Sequence, residues 1–301
     1  METNSEKVKF SKPWSGMEVN EGDSALVYRV IGINKVSDID PFLMMDYFRD
    51  SKLPGGFPDH PHRGFETVTY ITEGKILHED FKGHKGQIEE GGVQWMTAGK
   101  GIIHAEMPYS YKQPTSGFQL WINLSKENKM IEPNYQEITN DKFPVKSIDN
   151  ARIKIVAGKI ADLQGACNST TPTSFFDVSL EKGQTSIQIE KDVAGFIFLF
   201  EGENILINSV YDLKKLSAIR FDTTEEISLT ISTESSNSRF LVIFAKPLKE
   251  PIAKYGPFVM NTRKQLEEAF DDYNKAKNGF ENKRTWKSEI QYLPQTMREE
   301  L

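Results

Sequence analysis

Between Glu66 and Leu124 the chain is written in short runs of β-forming residues broken at glycines. The runs Glu66 to Thr72, Lys75 to Phe81, Val93 to Met96 and Ala98 to Gly101 are separated by Glu73-Gly74, Gly83, Gly86 and Gly91-Gly92. Runs of strand length with turn residues at such intervals predict a sandwich or barrel, and no helical period competes with them here. In the next run, Gly117 to Leu124, the residues Phe118, Leu120 and Ile122 alternate with Gln119, Trp121 and Asn123, the two-residue period of a strand. Upstream, Ala25 to Ile31 reads as a further strand closed by Gly32. Asp40 to Phe48 follows, with Met44 and Met45 expected as adaptable core filler. Pro54-Gly55-Gly56-Phe57-Pro58 is a turn cluster that delivers the chain to the next segment.

From Ser125 to Asn150 the composition becomes polar, charged and proline-containing, which predicts a domain boundary. Beyond it the β pattern repeats in outline: Phe200-Glu201-Gly202 follows Phe198-Leu199 as Thr72-Glu73-Gly74 follows Tyr70-Ile71. Carried back without gaps, that offset sets Gln188 and Glu190 where His60 and His62 stand in the first half, so the second barrel is expected to lack metal ligands. The pattern changes after Gly256-Pro257. Thr262-x-x-Gln265 is a capping box, Leu266, Phe270 and Tyr273 recur at helical spacing, and Asn278-Gly279 ends the run. One amphipathic helix of about four turns is predicted, docked on the barrels by its apolar face. The expected domains are 1–140, 141–255, and a helix with its tail over 256–301, the final Arg298-Glu299-Glu300 frayed.

A chain of 301 residues suits about two domains, and 38% hydrophobic with 27% charged residues is a globular composition. The net charge of -6 gives no global basic footprint, which disfavours direct contact with nucleic acid. Cys167 stands alone, so there is no internal disulfide framework, and nothing electropositive beside it marks a nucleophile. The polar start Met1-Glu2-Thr3-Asn4-Ser5 has no apolar signal region, from which an intracellular protein is expected. No apolar run approaches the length needed to cross a bilayer.

The chemistry gathers in one place. All five histidines, His60, His62, His78, His84 and His104, fall between residues 60 and 104. His60 with His62, and His104 with Glu106, are ligand-type pairs at i and i+2, and residues at that spacing leave an extended strand on the same face. Two such pairs meeting across a barrel would bring together three imidazoles and one carboxylate. That donor set suits a divalent transition metal, and nitrogen-rich sites with open positions are those through which non-haem iron handles oxygen. Strand parity is expected to turn Glu66 inward as well. His78 and His84 fit turn or strand roles, and Arg63 fits an anchor for a carboxylate such as Glu66.

His60-x-His62-x-x-x-Glu66 followed by Gly74, and a later glycine-rich turn ending in His104, resemble the two cupin motifs; Gly99 stands where the second motif usually has proline. More specifically, the stretches Phe57 to Val68, Gln94 to Glu106 and Gln119 to Leu124 look like the pirin family. The likeness extends to Asp40-Pro41-Phe42-Leu43, to Gly256 through Thr262, to Ala276 through Glu281 and to Thr285-Trp286-Lys287-Ser288. It covers nearly the whole chain, least specifically over 150–250, and the terminal matches favour the eukaryotic branch.

This resemblance implies an all-β bicupin, two tandem cupin (jelly-roll) barrels with a C-terminal α-helix. It implies Fe(2+) in the N-terminal barrel, held by His60, His62, His104 and Glu106. The general cupin pattern would instead make Glu66 the carboxylate ligand; the pirin-like pairing favours Glu106 and leaves Glu66 a supporting role. The activity implied is quercetin 2,3-dioxygenation: a flavonol-like small molecule and O2 meet at the iron, Glu106 acts as catalytic base, and the ring opens with loss of carbon monoxide. The same resemblance implies, for eukaryotic members, a nuclear co-regulator whose metal redox state alters a surface that transcription factors recognise. A monomer in nucleus and cytoplasm, without direct nucleic-acid or membrane contact, is expected.

Overall fold

The computed structural model describes residues 7–22, 25–49, 56–110 and 114–291. The turn expected at Pro54-Gly55, the polar start of the chain and the end at Arg298-Glu299-Glu300 lie outside the described residues. The chain divides into two compact units, each assembled from separated segments. The first comprises Glu18–Gly32, Phe42–Asn140 and the stretch from Lys249 onward. The second comprises the stretch up to Met17, Ile33–Pro41 and Asp141–Leu248.

In the first unit a seven-stranded antiparallel sheet runs in the order Asn134–Ile138, Val93–Thr97, Phe65–Glu73, Ser116–Asn123, Phe42–Phe48, Ala25–Ile31, Met17–Glu21. A second sheet of four runs Phe57–His62, Ile102–Pro108, Lys75–Asp80, Lys85–Glu89. The second unit repeats that order. Its large sheet runs Val8–Phe10, Ser217–Thr223, Ala194–Glu201, Ser238–Ala245, Thr173–Leu180, Ala151–Ala157, Val145–Ile148, and its small one Gly183–Ile189, Ile227–Thr233, Asn204–Ile207, Tyr211–Lys214. The edge position held by Asn134–Ile138 in the first unit is held in the second by Val8–Phe10, paired Val8 to Thr223. Early residues, grouped with the first barrel when the chain is divided near 140, thus complete the sheet of the second unit.

The all-β architecture of two barrels with one C-terminal helix is the one expected. The helix, Arg263–Lys275, opens at Thr262, whose hydroxyl accepts from the Gln265 N–H at 3.2 Å while the Gln265 amide oxygen accepts from the Thr262 N–H at 3.1 Å. It closes at Ala276 in the left-handed region, two residues before Asn278. Its apolar face belongs to the first unit, where Leu266, Ala269, Phe270 and Tyr273 pack with Phe81, Ile102, Ile103, Phe258 and Phe280.

The expected equivalence of Gln188 and Glu190 with His60 and His62 is off by one residue. In the first unit His62 pairs with Ile102 and His60 with His104; in the second the matching pairs are Ile189 with Ile227 and Ile187 with Leu229. Gln188 and Glu190 are exposed, while Ile187 and Ile189 are buried in the core with Leu229 and Ile231. A slip of one position moves a side chain to the other face of a strand.

Candidate metal centre

The four-stranded sheet of the first unit delivers the histidines. His60 and His62 leave one face of Phe57–His62 two residues apart, and His104, on the neighbouring antiparallel strand, stands directly opposite His60. The ring centroids are 4.7 Å apart for His60 and His62, 4.4 Å for His60 and His104, and 5.1 Å for His62 and His104. Each ring offers one nitrogen, and the three nitrogens all lie within 4.8 Å of one another.

The protonation chemistry of these rings is that of a ligand set. Desolvation holds all three pKa values below the usual imidazole range; the neighbouring His60 lowers those of His62 and His104 further, and the Glu106 charge partly offsets the effect at His60. Neutral imidazole is the form that donates a lone pair to a metal. His60 Nδ1 lies 2.8 Å from the Pro58 carbonyl oxygen, which requires the hydrogen on Nδ1 and leaves Nε2 its lone pair. His62 Nδ1 and both nitrogens of His104 are buried and make no hydrogen bond. Burying such groups unpaired costs about 1–3 kcal/mol each, and a cation held by one nitrogen of each ring would relieve part of that cost.

Glu106 shares the face of His104, two positions on. Its Oε1 accepts from Thr69 Oγ1 at 2.7 Å and its Oε2 from Gln119 Nε2 at 3.1 Å. The group of mutually close donors comprises the three histidines, with Glu106 beside it on the same cavity. That cavity holds about 550 Å³. His60, His62, Glu106 and Gln119 supply one polar side of it; Met44, Phe48, Phe57 and Trp121 supply apolar wall.

A second polar group lines the same cavity and was not singled out from sequence. Arg29 donates through Nε and Nη2 to the two oxygens of Asp46 at 2.8 and 2.7 Å, and Nη2 also meets Glu21 at 2.7 Å. Burial pushes the Asp46 carboxyl up, and the Arg29 pair pulls against it. The available signal was a charge set in each of two otherwise apolar strands, Ala25–Ile31 and Phe42–Phe48.

Two expectations for neighbouring residues are corrected. Glu66 does not face the metal ligands: strand pairing is regular from Glu66 to Tyr70, so Glu66 and Thr69 point to opposite faces, and Thr69 is the one that reaches Glu106. Glu66 is buried and accepts from Thr97 Oγ1 at 2.8 Å. Arg63 does not anchor Glu66. Its Nε donates to the Lys100 carbonyl at 2.7 Å, Nη1 to Asp272 at 2.9 Å and Nη2 to the Asn278 carbonyl at 2.6 Å, and its guanidinium lies 4.7 Å from the centre of the Phe280 ring.

Backbone constraints hold the ligand turns. Lys129, buried, donates to Asn123 Oδ1 at 2.6 Å, the Gly64 carbonyl at 2.8 Å and the Val259 carbonyl at 3.1 Å, tying down the turn after His62. Gly99, where the cupin pattern usually has proline, has φ +48°, which proline cannot adopt, and a Cβ there would collide with the Ile131 carbonyl. The remaining histidines stand outside the cluster. His78 Nε2 lies 2.8 Å from Glu137 Oε1, and His84 Nδ1 lies 2.7 Å from Asp80 Oδ2 in the turn after Lys75–Asp80.

Residues 24–122 match the family model described as Pirin, and residues 175–279 the model described as Pirin C-terminal cupin domain. Pirin-like protein 2 of Arabidopsis thaliana is 44% identical over 275 residues, covering 89% of this chain and 85% of that protein. Pirin of Homo sapiens is 41% identical over 278 residues, covering 91% and 94%. Among solved structures, a quercetin 2,3-dioxygenase from Acinetobacter baumannii superposes with a TM-score of 0.83 at 31% identity, covering 91% of this chain and 99% of that one. The bacterial pirin YhhW from Escherichia coli, solved in complex with nickel(II), gives 0.63 at 22% identity over 80% and 99%, a likeness of fold.

Proposed function

This chain belongs to the pirin family, and on that premise we propose that its three-histidine cavity is the site of a metal-dependent dioxygenase opening a flavonol ring of the quercetin type, with Fe(2+) as resident ion and Glu106 as fourth donor. The observation that carries this reading is the convergence of three neutral imidazoles, those of His62 and His104 with unpartnered buried nitrogens, beside a carboxylate on a largely apolar cavity. The solved relative named as a quercetin 2,3-dioxygenase, at 31% identity over nearly its whole length, supports the substrate class.

An ion held by His60, His62, His104 and Glu106 would supply Lewis acidity toward a phenolic hydroxyl and one-electron redox chemistry toward dioxygen. The chain supplies the rest. Phe57 and Trp121 present aromatic surface to a flat polyphenol, and Met44 and Phe48 keep water from the reacting face. Glu106 takes the hydroxyl proton. Thr69 and Gln119, which donate to its two oxygens, hold the carboxylate in place.

The test is oxygen uptake by anaerobically iron-loaded protein with quercetin. Glu106→Gln is expected to lower kcat/KM by about 10²–10⁴, and His60→Ala to abolish metal retention. Turnover no greater than that of free iron overturns the enzyme reading. The co-regulator reading uses the same site and fails if a transcription factor binds ferrous and ferric protein equally.

A further inference from the structure

We infer that the C-terminal segment Trp286–Gln291 is a positioning strap for the metal centre, holding from behind the strand bulge that aims His60. The inference rests on the metal-binding reading of the three histidines and is independent of what the metal then does.

The bulge shows in the pairing. His104 pairs with His60 but Glu106 pairs with Phe57, so Pro58 and Asp59 together oppose the single residue Ala105. A bulge bends its strand and redirects a side chain. Here the Pro58 carbonyl accepts from His60 Nδ1 at 2.8 Å and so determines which nitrogen is left for the cluster. Asp59, the other bulge residue, turns its carboxylate to the strap. It accepts from the Ser288 N–H at 3.2 and 3.3 Å and from Gln291 Nε2 at 2.6 Å, while its own N–H donates to Gln291 Oε1 at 3.3 Å.

A second anchor lies two strands away in the same sheet. Glu79, 3% exposed, accepts the N–H groups of Glu289 at 2.8 Å and Ile290 at 3.3 Å. Glu79 pairs across the strands with Ala105, the residue between His104 and Glu106, and Ile290 is buried against Ala105, Leu77 and Met107. By strand alternation, the strap covers the outer face of a sheet whose inner face carries His60, His104 and Glu106. Side chains that hold ligand-bearing backbone act on metal affinity without touching the metal, commonly by 10- to 100-fold.

Cobalt(II) titrated into the full-length, metal-free protein reads the site twice, through affinity and through visible absorption bands that depend on ligand geometry. The tail double variant Ser288→Pro/Ile290→Asp removes one backbone donor and the apolar anchor without altering a barrel residue. It and Asp59→Asn are each expected to bind cobalt about tenfold more weakly and with shifted bands, at unchanged far-ultraviolet circular dichroism, while Ile290→Val keeps wild-type affinity and bands. If the double variant fails to fold, Gln291→Leu, which removes only the side-chain contacts to Asp59, must move affinity and bands in the same direction. Variants that match wild type in both readouts overturn the strap alone. A wild-type chain that binds no metal overturns the reading beneath it.

Discussion

The two barrels of this chain share a strand order and have opposite interiors. Where the first sets His62 across from Ile102 and His60 across from His104, the second sets Ile189 across from Ile227 and Ile187 across from Leu229. Glu106, two residues after His104, corresponds to Ile231, two after Leu229. Each buried aliphatic side chain contributes about 1.5–3 kcal/mol to stability, whereas an unpaired buried nitrogen costs about 1–3 kcal/mol. The difference separates two kinds of information. Alternation and turn residues specify the sandwich in both halves, and the identity of a few inward positions decides whether its interior is packed or chemically competent.

The strongest way to break this comparison is to exchange those positions. Leu229→His buries an imidazole in the apolar cluster of Ile187, Ile189 and Ile231. The expected loss is about 3–5 kcal/mol in denaturant unfolding, and a loss below about 1 kcal/mol would mean that the second interior has room and polar partners not apparent in its packing. The converse change is smaller. His104→Leu should abolish metal binding yet leave the metal-free protein as stable as wild type or about 1 kcal/mol more so, because two unpaired nitrogens are replaced by apolar surface. A fall in metal-free stability would show that His104 is held by interactions other than a missing cation.

The same contrast explains what could be read before the fold was known. The clustering of histidines, the i and i+2 pairs and the Thr262 to Gln265 cap are local patterns; three of the five histidines share an inward face, and the cap starts the helix. An equivalence counted back from Glu201-Gly202 without gaps does not hold in the second barrel. Two residues link His62 to the following strand in the first unit but four link Ile189 to Ala194 in the second, while that strand is nine residues long in one and eight in the other. The net shift is a single position, enough to exchange an exposed glutamine for a buried isoleucine. Sequence proximity points Arg63 to Glu66, whereas its partner Asp272 lies 209 residues away. The parity of Glu66 depended on where the turn at Arg63-Gly64 resets the strand, which no local spacing records. Arg29 and Asp46 carry a plainer lesson: an ion pair inside apolar strands is visible as a charge out of pattern, but its meaning waits on seeing both charges line one cavity.

The finest test of the comparison uses the lone thiol of the second unit. Cys167 is buried, and burial alone pushes its pKa from 9.0 up to about 12, so it should behave as packing and not as a nucleophile. The sign follows from proton counting. Between about 9 and about 12 the folded chain keeps a proton that the unfolded chain has lost, so stability is unaffected below that window and declines as pH rises through it. The slope is at most about 1.4 kcal/mol per pH unit for one proton, and Cys167→Ala should remove it. A disulfide reagent at pH 8.5 should modify the native protein only at the rate at which the chain opens, and the denatured protein at once. Modification of native protein as fast as a small free thiol would place Cys167 in contact with solvent, and the second unit would then carry a reactive position outside its packed core.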